Sequence, residues 1–298
     1  MPNLAGLHTD IAAQRFRKAF EARTPIDPKG ANRMTTTPST NTPTPVTLLR
    51  RWVVDYFNSH DASVAHEFIA PSYALEIGDH VFAGRDEQWL PAVAQQMQTF
   101  PGMGMTVHQI VSTHDKVAAY FSEHGTSNGR TAVWSGVAIY RSDGQVLTGC
   151  VAQEDYMTRQ RQLKSGLCDP VEPPSPDPWG TAILPPNMTA ESVVREWLSQ
   201  AWPSDTVRCD DEHISGVPLV FEVRSTEFTE LFSCGDDVAF HVRQTGLYLS
   251  GIAGLDACAT PMVLNGNGIV RVAQGKVVSG RVIRDRLGLK SRLQKALA

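Results

Sequence analysis

Apolar residues recur along this chain in two arrangements, and each arrangement occurs twice. In "LLRRWVVDYFNSHD" (48–61), Leu49, Trp52, Val53, Tyr56 and Phe57 fall at helical spacings and form one stripe. In "VVREWLSQAWPSD" (193–205), Val194, Trp197, Leu198 and Ala201 form the same stripe. Further on, "DKVAAYFSEHG" (115–125) parallels "DDVAFHVRQTG" (236–246), and "GVAIYRSDGQVLTG" (136–149) parallels "GIVRVAQGKVVSG" (268–280). These segments alternate apolar and polar positions, with Gly144 and Gly275 at the centre of the later pair, which predicts long antiparallel hairpins. The chain therefore reads as two copies of one unit, each an opening helix followed by a sheet.

Between the copies lies "DPVEPPSPDPWGTAILPPN" (169–187), whose prolines predict an extended connector. The expected division is an N-terminal extension over 1–46, a first domain over 47–165, a linker over 166–187 and a second domain over 188–298. The extension contains "TTTPSTNTPTP", which has no apolar anchor, and "DIAAQRFRKAFEA", which could form a short helix. The copies differ in length. Trp52 and Val117 are 65 residues apart, but Trp197 and Val238 only 41. The longer interval holds a strand-like "YALEIGDHVFAG" and a helical "RDEQWLPAVAQQMQTF", so the second copy is expected to lack at least a helix.

With 42% hydrophobic and 19% charged residues among 298, the chain has the composition of a folded domain protein. The net charge of -4 comes without a long basic run, which argues against a nucleic-acid partner. No apolar stretch reaches the roughly 18 residues needed to span a bilayer, so no membrane role and a cytoplasmic location are expected. The five cysteines form no CxxC pair, and no phosphate loop or ligand-spaced histidines occur. No metal or cofactor is expected.

Helix, strand, helix and then long antiparallel strands describe an α+β cone with a curved sheet wrapped around helices. That order, together with "GQVLTG" and "EDYMTRQRQL" (154–163), resembles the SnoaL-like polyketide cyclases of the nuclear-transport-factor-like superfamily. The resemblance implies two tandem cones, an apolar pocket and a carboxylate near the end of the last strand that acts as general acid and base. Counting back eight from Leu163 gives Asp155, as counting back eight from Leu293 gives Asp285; counting ten forward from Gly144 gives Glu154, whereas ten from Gly275 again gives Asp285. An extra residue in the first copy, a bulge, would reconcile the counts. Since side chains alternate along a strand, either Glu154 or Asp155 enters the cone. His124 is a third catalytic candidate. It precedes "GTSNG", where Ser127 stands in place of the histidine that the cyclases carry. Trp52, Tyr56, Glu76, Trp89, Met103, His108 and Trp134 are the expected pocket lining. In the second copy Gln244 and Thr245 replace Glu123 and His124, and Arg284 and Arg286 flank Asp285, which points to a structural role. The resemblance implies a cofactor-free enzyme that cyclises or isomerises a small hydrophobic molecule such as a polyketide, steroid or terpenoid. A ligand-binding or scaffolding protein and an epoxide hydrolase are the alternatives. The two domains are expected to pair as an intrachain pseudodimer, with a homodimer as a further option.

Overall fold

The computed structural model describes residues 44–200, 202–203, 205–212 and 218–297. The expected tether and short helix before residue 44 lie outside them.

In the first domain, α1 (Thr44–Arg50) runs on as a π-helix over Arg51–Phe57. It stops at Asn58, whose side-chain amide donates to the Met105 carbonyl at 3.0 Å and accepts from the Met105 N–H at 2.7 Å, tying the helix end to the sheet. The strands are β1 (Ile69–Ile77), β2 (His80–Ala83), β3 (Gly104–Ser112), β4 (Lys116–Ser127), β5 (Arg130–Ser142) and β6 (Leu147–Glu154), with α2 (Leu90–Thr99) between β2 and β3. They form one sheet in the order β2-β1-β6-β5-β4-β3, antiparallel except where β1 meets β6. Helix α3 (Tyr156–Ser165) follows β6. The second domain has α4 (Met188–Gln200), β7 (Val207–Cys209), β8 (Val220–Cys234), β9 (Asp237–Ser250), β10 (Thr260–Ala273), β11 (Lys276–Arg284) and α5 (Arg286–Ala296). Its sheet order is β7-β11-β10-β9-β8, again with a parallel pair at the edge. Both domains are α+β cones. The missing length is explained by the connections: 26 residues separate β1 from β3, against ten from β7 to β8, so the interval that holds β2 and α2 in the first domain is cut short in the second.

Alternation along the strands gives each sheet two dry faces. Phe121, Trp134, Ala138 and Ala152 face the first cone's interior with Trp52, Tyr56, Tyr73 and Trp89. At roughly 1.5–3 kcal/mol for each fully buried large side chain, this aromatic centre is a major part of the first domain's stability. The opposite faces, with Tyr120, Val137, Ile139 and Val151 on one side and Phe232, Ala239, Ile269 and Ile283 on the other, share a single core. The two sheets thus pack back to back. Buried polar groups fix this packing. Asn267 donates to the Val137 and Val151 carbonyls at 2.9 Å each, and Glu230 accepts from Lys116 at 2.7 Å and from Arg141 at 2.6 Å.

The two hairpins have equal length. Ser142 pairs with Leu147 as Val272 pairs with Val277, and each hairpin has its register shift just before that pair. No extra residue is present in the first copy; its glycine simply sits one place earlier in the turn, which is why the forward count failed.

Candidate functional site

At the far end of β6, Glu154 pairs with Gly136 of β5, and Glu123 on β4 pairs with Trp134. Glu123, Trp134 and Glu154 follow the same alternation as Phe121 and Ala152, so all three face the interior of the first cone. Gly136 makes room for them: a Cβ there would stand 2.3 Å from the Phe121 ring and 3.0 Å from the Glu154 stem. Trp134 Nε1 donates to Glu154 at 2.9 Å, and Gln96 of α2 donates to Glu123 at 3.3 Å. Glu123 is 3% exposed. Burial raises its carboxyl well above the ordinary carboxylate range, and the neighbouring Glu154 charge adds to this. Burial also raises Glu154, while hydrogen bonds from Trp134 and Tyr156 and the charge of Arg159 pull it back. The two carboxyls act on each other, and Glu123, the more deeply buried, is the more strongly raised of the pair.

Glu154 opens on a cleft of ≈ 740 Å³. Leu75, Ile77 and Phe82 of the β1–β2 hairpin and Val93 and Gln96 of α2 form one wall, while α5 of the second domain closes it with Leu287, Lys290 and Ser291. The arrangement offers an apolar wall beside a carboxylate of raised proton affinity, with a second carboxyl behind it. A proton can be taken up or returned there next to a bound carbonyl group.

Asp155, expected as an alternative pocket acid, is placed elsewhere. It caps α3, accepting from the Thr158 N–H at 3.1 Å, and accepts from the Asp211 N–H at 2.8 Å and from Arg286 at 2.5 Å. Burial alone would raise its pKa, but the Arg286 charge and hydrogen bond outweigh burial and hold the carboxyl below its usual value. Such a group stays ionised and is unsuited to general base work. Asp285 is its counterpart: its backbone N–H bonds the Asn265 carbonyl as that of Asp155 bonds Ser135, and its side chain caps α5. Counting back from the leucines therefore found equivalent residues, but they are helix caps.

His124, next to Glu123 on the strand, points the other way; it is exposed and its ring lies against Gly104. Glu76 is exposed, 3.9 Å from Arg141. His108 sits at a register shift in β3, which turns it onto the outer face, where it meets Ser122 Oγ at 2.9 Å and stacks on Tyr120. Trp52, Tyr56 and Trp89 are packed on one another with centroids 4.9–5.7 Å apart, and Met103 is 1% exposed; these are core residues. Of the expected residues, the structure brings together Glu154 and Trp134. Glu123, Gln96 and Tyr156 complete the cluster. Glu123 had a readable signal, an acid in an apolar alternation; Gln96 and Tyr156 arrive from helices whose docking no local pattern reveals.

Among the described residues no cluster of three or more His, Cys, Asp or Glu could hold a metal ion, and no helix is long and apolar enough to cross a membrane.

The family described as "SnoaL-like domain" matches residues 49–147. No curated protein matches the chain. Similar solved structures include IdmH of Streptomyces antibioticus, given as a candidate polyketide cyclase, with 26% identity over 40% of this chain and 98% of that one and a TM-score of 0.37. A candidate SnoaL-like polyketide cyclase from Jannaschia is 15% identical over 46% of this chain and 99% of its own, with a TM-score of 0.39. An epoxide hydrolase of M. tuberculosis, described as LEH-like, is 13% identical over 42% and 93%, with a TM-score of 0.37. Residues 49–147 are thus similar to a SnoaL-like domain; Glu123 and Trp134 lie inside that segment and Glu154 just beyond it.

Proposed function

We propose that the first domain is a cofactor-free acid–base enzyme that moves a proton beside the carbonyl of a small hydrophobic molecule, as a cyclisation or isomerisation requires. Glu154 is the base and Glu123 the proton store behind it. The observation that carries this reading is the carboxyl pair on the inner face of the sheet, with Glu123 buried and bonded by Gln96 and Glu154 held by Trp134 and open to the ≈ 740 Å³ cleft. A carboxylate whose pKa lies above its usual value is a stronger base near neutrality, and positioned proton transfer contributes about 10²–10⁴ in rate. The second domain acts as a fused partner, a pseudodimer half that covers the cleft with α5.

The test is exchange of the α-proton of an aryl ketone with solvent deuterium, followed by NMR. Glu154→Gln, close in volume, is expected to lower exchange about 10²–10⁴-fold at unchanged melting temperature, whereas Asp155→Asn lowers the melting temperature. Undiminished exchange in the Glu154 variant would sink the assignment.

A non-catalytic ligand-binding role is favoured by one observation: the deep interior is already filled by Trp52, Tyr56, Tyr73 and Trp89, so a ligand is held at the mouth. Binding of a hydrophobic ligand without exchange would support that role.

A further inference from the structure

Arginines in dry regions of this protein spend their donors on acids. Arg284 bonds Asp210 at 2.6 and 2.9 Å and Glu212 at 2.9 Å, Arg286 bonds Asp155 at 2.5 Å, and Arg281 bonds Asp211 and the Asp210 carbonyl. Arg159, in the first turn of α3, does not. Its guanidinium carbon lies 4.1 Å from the ring centroid of Tyr156, 5.0 Å from that of Trp134 and 5.2 Å from that of Phe100, and among the described residues no hydrogen bond or ion pair engages it. It is half-buried. Ring faces attract the charge but do not satisfy the in-plane N–H donors, which remain arranged for a planar, two-oxygen acceptor.

Two of those rings frame the reactive carboxyl. Trp134 donates to Glu154, and Tyr156 lines the same cleft. The positive charge of Arg159 is felt by both Glu123 and Glu154. A neutral apolar ligand seated in the cleft against Tyr156 would strip water from the neighbouring guanidinium and return no acceptor to a charged donor. A ligand with its own carboxylate supplies that acceptor.

We propose that Arg159 binds an anionic group of the ligand, so that the molecule handled at Glu154 is an oxo acid: a hydrophobic ketone bearing a carboxylate. The catalytic part of this rests on the acid–base reading above; the anion site does not. The experiment compares 4-oxo-4-phenylbutanoate with its methyl ester on the full chain. The readouts are deuterium exchange at the carbon next to the ketone and calorimetric binding. Wild type is expected to prefer the acid over the ester at least tenfold in both, and Arg159→Gln to reduce that acid-to-ester ratio at least tenfold; Arg159→Lys restores part of it. If the acid binds with this preference but neither compound exchanges, the anion site stands and the role of Glu154 as a base fails. If acid and ester bind equally, or the ratio is the same in wild type and Arg159→Gln, the proposal is overturned, whatever the exchange rates.

Discussion

The two cones end their last strand in the same way and put opposite chemistry there. Gly136 pairs with Glu154 in the first domain, and Gly266 pairs with Arg284 in the second. Glu123 has Gln244 as its counterpart, bonded to Thr226 and to the Leu198 carbonyl. Where the first domain holds two neighbouring acids of raised pKa beside a cleft, the second holds a guanidinium locked to Asp210 and Glu212. One backbone frame therefore carries either an acid open to a cleft or a sealed ion pair. What decides is whether the charged side chain inside the cone meets a fixed counter-charge.

The largest effects should separate the two ends by what they damage. Arg284→Gln takes from buried Asp210 its closest cation, leaving Arg286 at 3.5 Å, and should cost about 3 kcal/mol in denaturant unfolding, while Glu154→Gln leaves stability near wild type. Equal losses of stability would break the comparison. Asp155→Ala removes the shortest acid contact of Arg286, which keeps Glu212 at 3.4 Å and Asp210 at 3.5 Å, and should cost about 1–3 kcal/mol, whereas Asp285→Ala, paired at 3.2 Å with the more accessible Arg292, should lose only a cap, about 0.5–2 kcal/mol.

A smaller effect sharpens the contrast through pH. The folded pKa values of Glu123 and Glu154 are raised, so the folded state binds more protons than the unfolded chain above the ordinary glutamate value of 4.5. Their contribution to stability is full below that pH and is lost as pH rises through the folded values. Glu123→Gln should therefore raise the melting temperature at pH 8 relative to wild type and leave it nearly unchanged at pH 4.5. Asp155 has the opposite sign: its contribution is present above 3.8 and lost on acidification through its lowered folded pKa. Smallest of all, Trp134→Phe removes the 2.9 Å donor to Glu154, and the acid limb of the exchange profile should move to higher pH by about one unit or less.

The repeat, the helices and the hairpins were legible because their signals are local: stripes such as Leu49–Trp52–Tyr56 and alternating runs around Gly144 and Gly275. The choice between Glu154 and Asp155 was not, because the inward face of β6 is set by its pairing with β5 and by helices docked from elsewhere in the chain. His108 was misplaced for a similar reason, a register shift that strand alternation does not reveal. Trp52 and Trp89 read equally well as lining or core until their mutual stacking was seen. Arg284 and Arg286 were recognisable as a charged pair around Asp285, but their acids, Asp210 and Glu212, lie more than 70 residues earlier in sequence.

The contact between Asp155 and Arg286 has no mirror image. The residue after the first cap is Tyr156, which stands beside Glu154; the residue after the second cap is Arg286, which reaches across to Asp155. A symmetric assembly of identical subunits must carry the same residue at both places. Two tyrosines would leave Asp155 without its cation, and two arginines would set a guanidinium beside Glu154 and quench its basicity. Joining both halves in one polypeptide removes that constraint, since each half is then encoded separately and can vary alone. The linker thus does more than tether: it allows the acid of one cone to be tuned while its twin becomes the clasp.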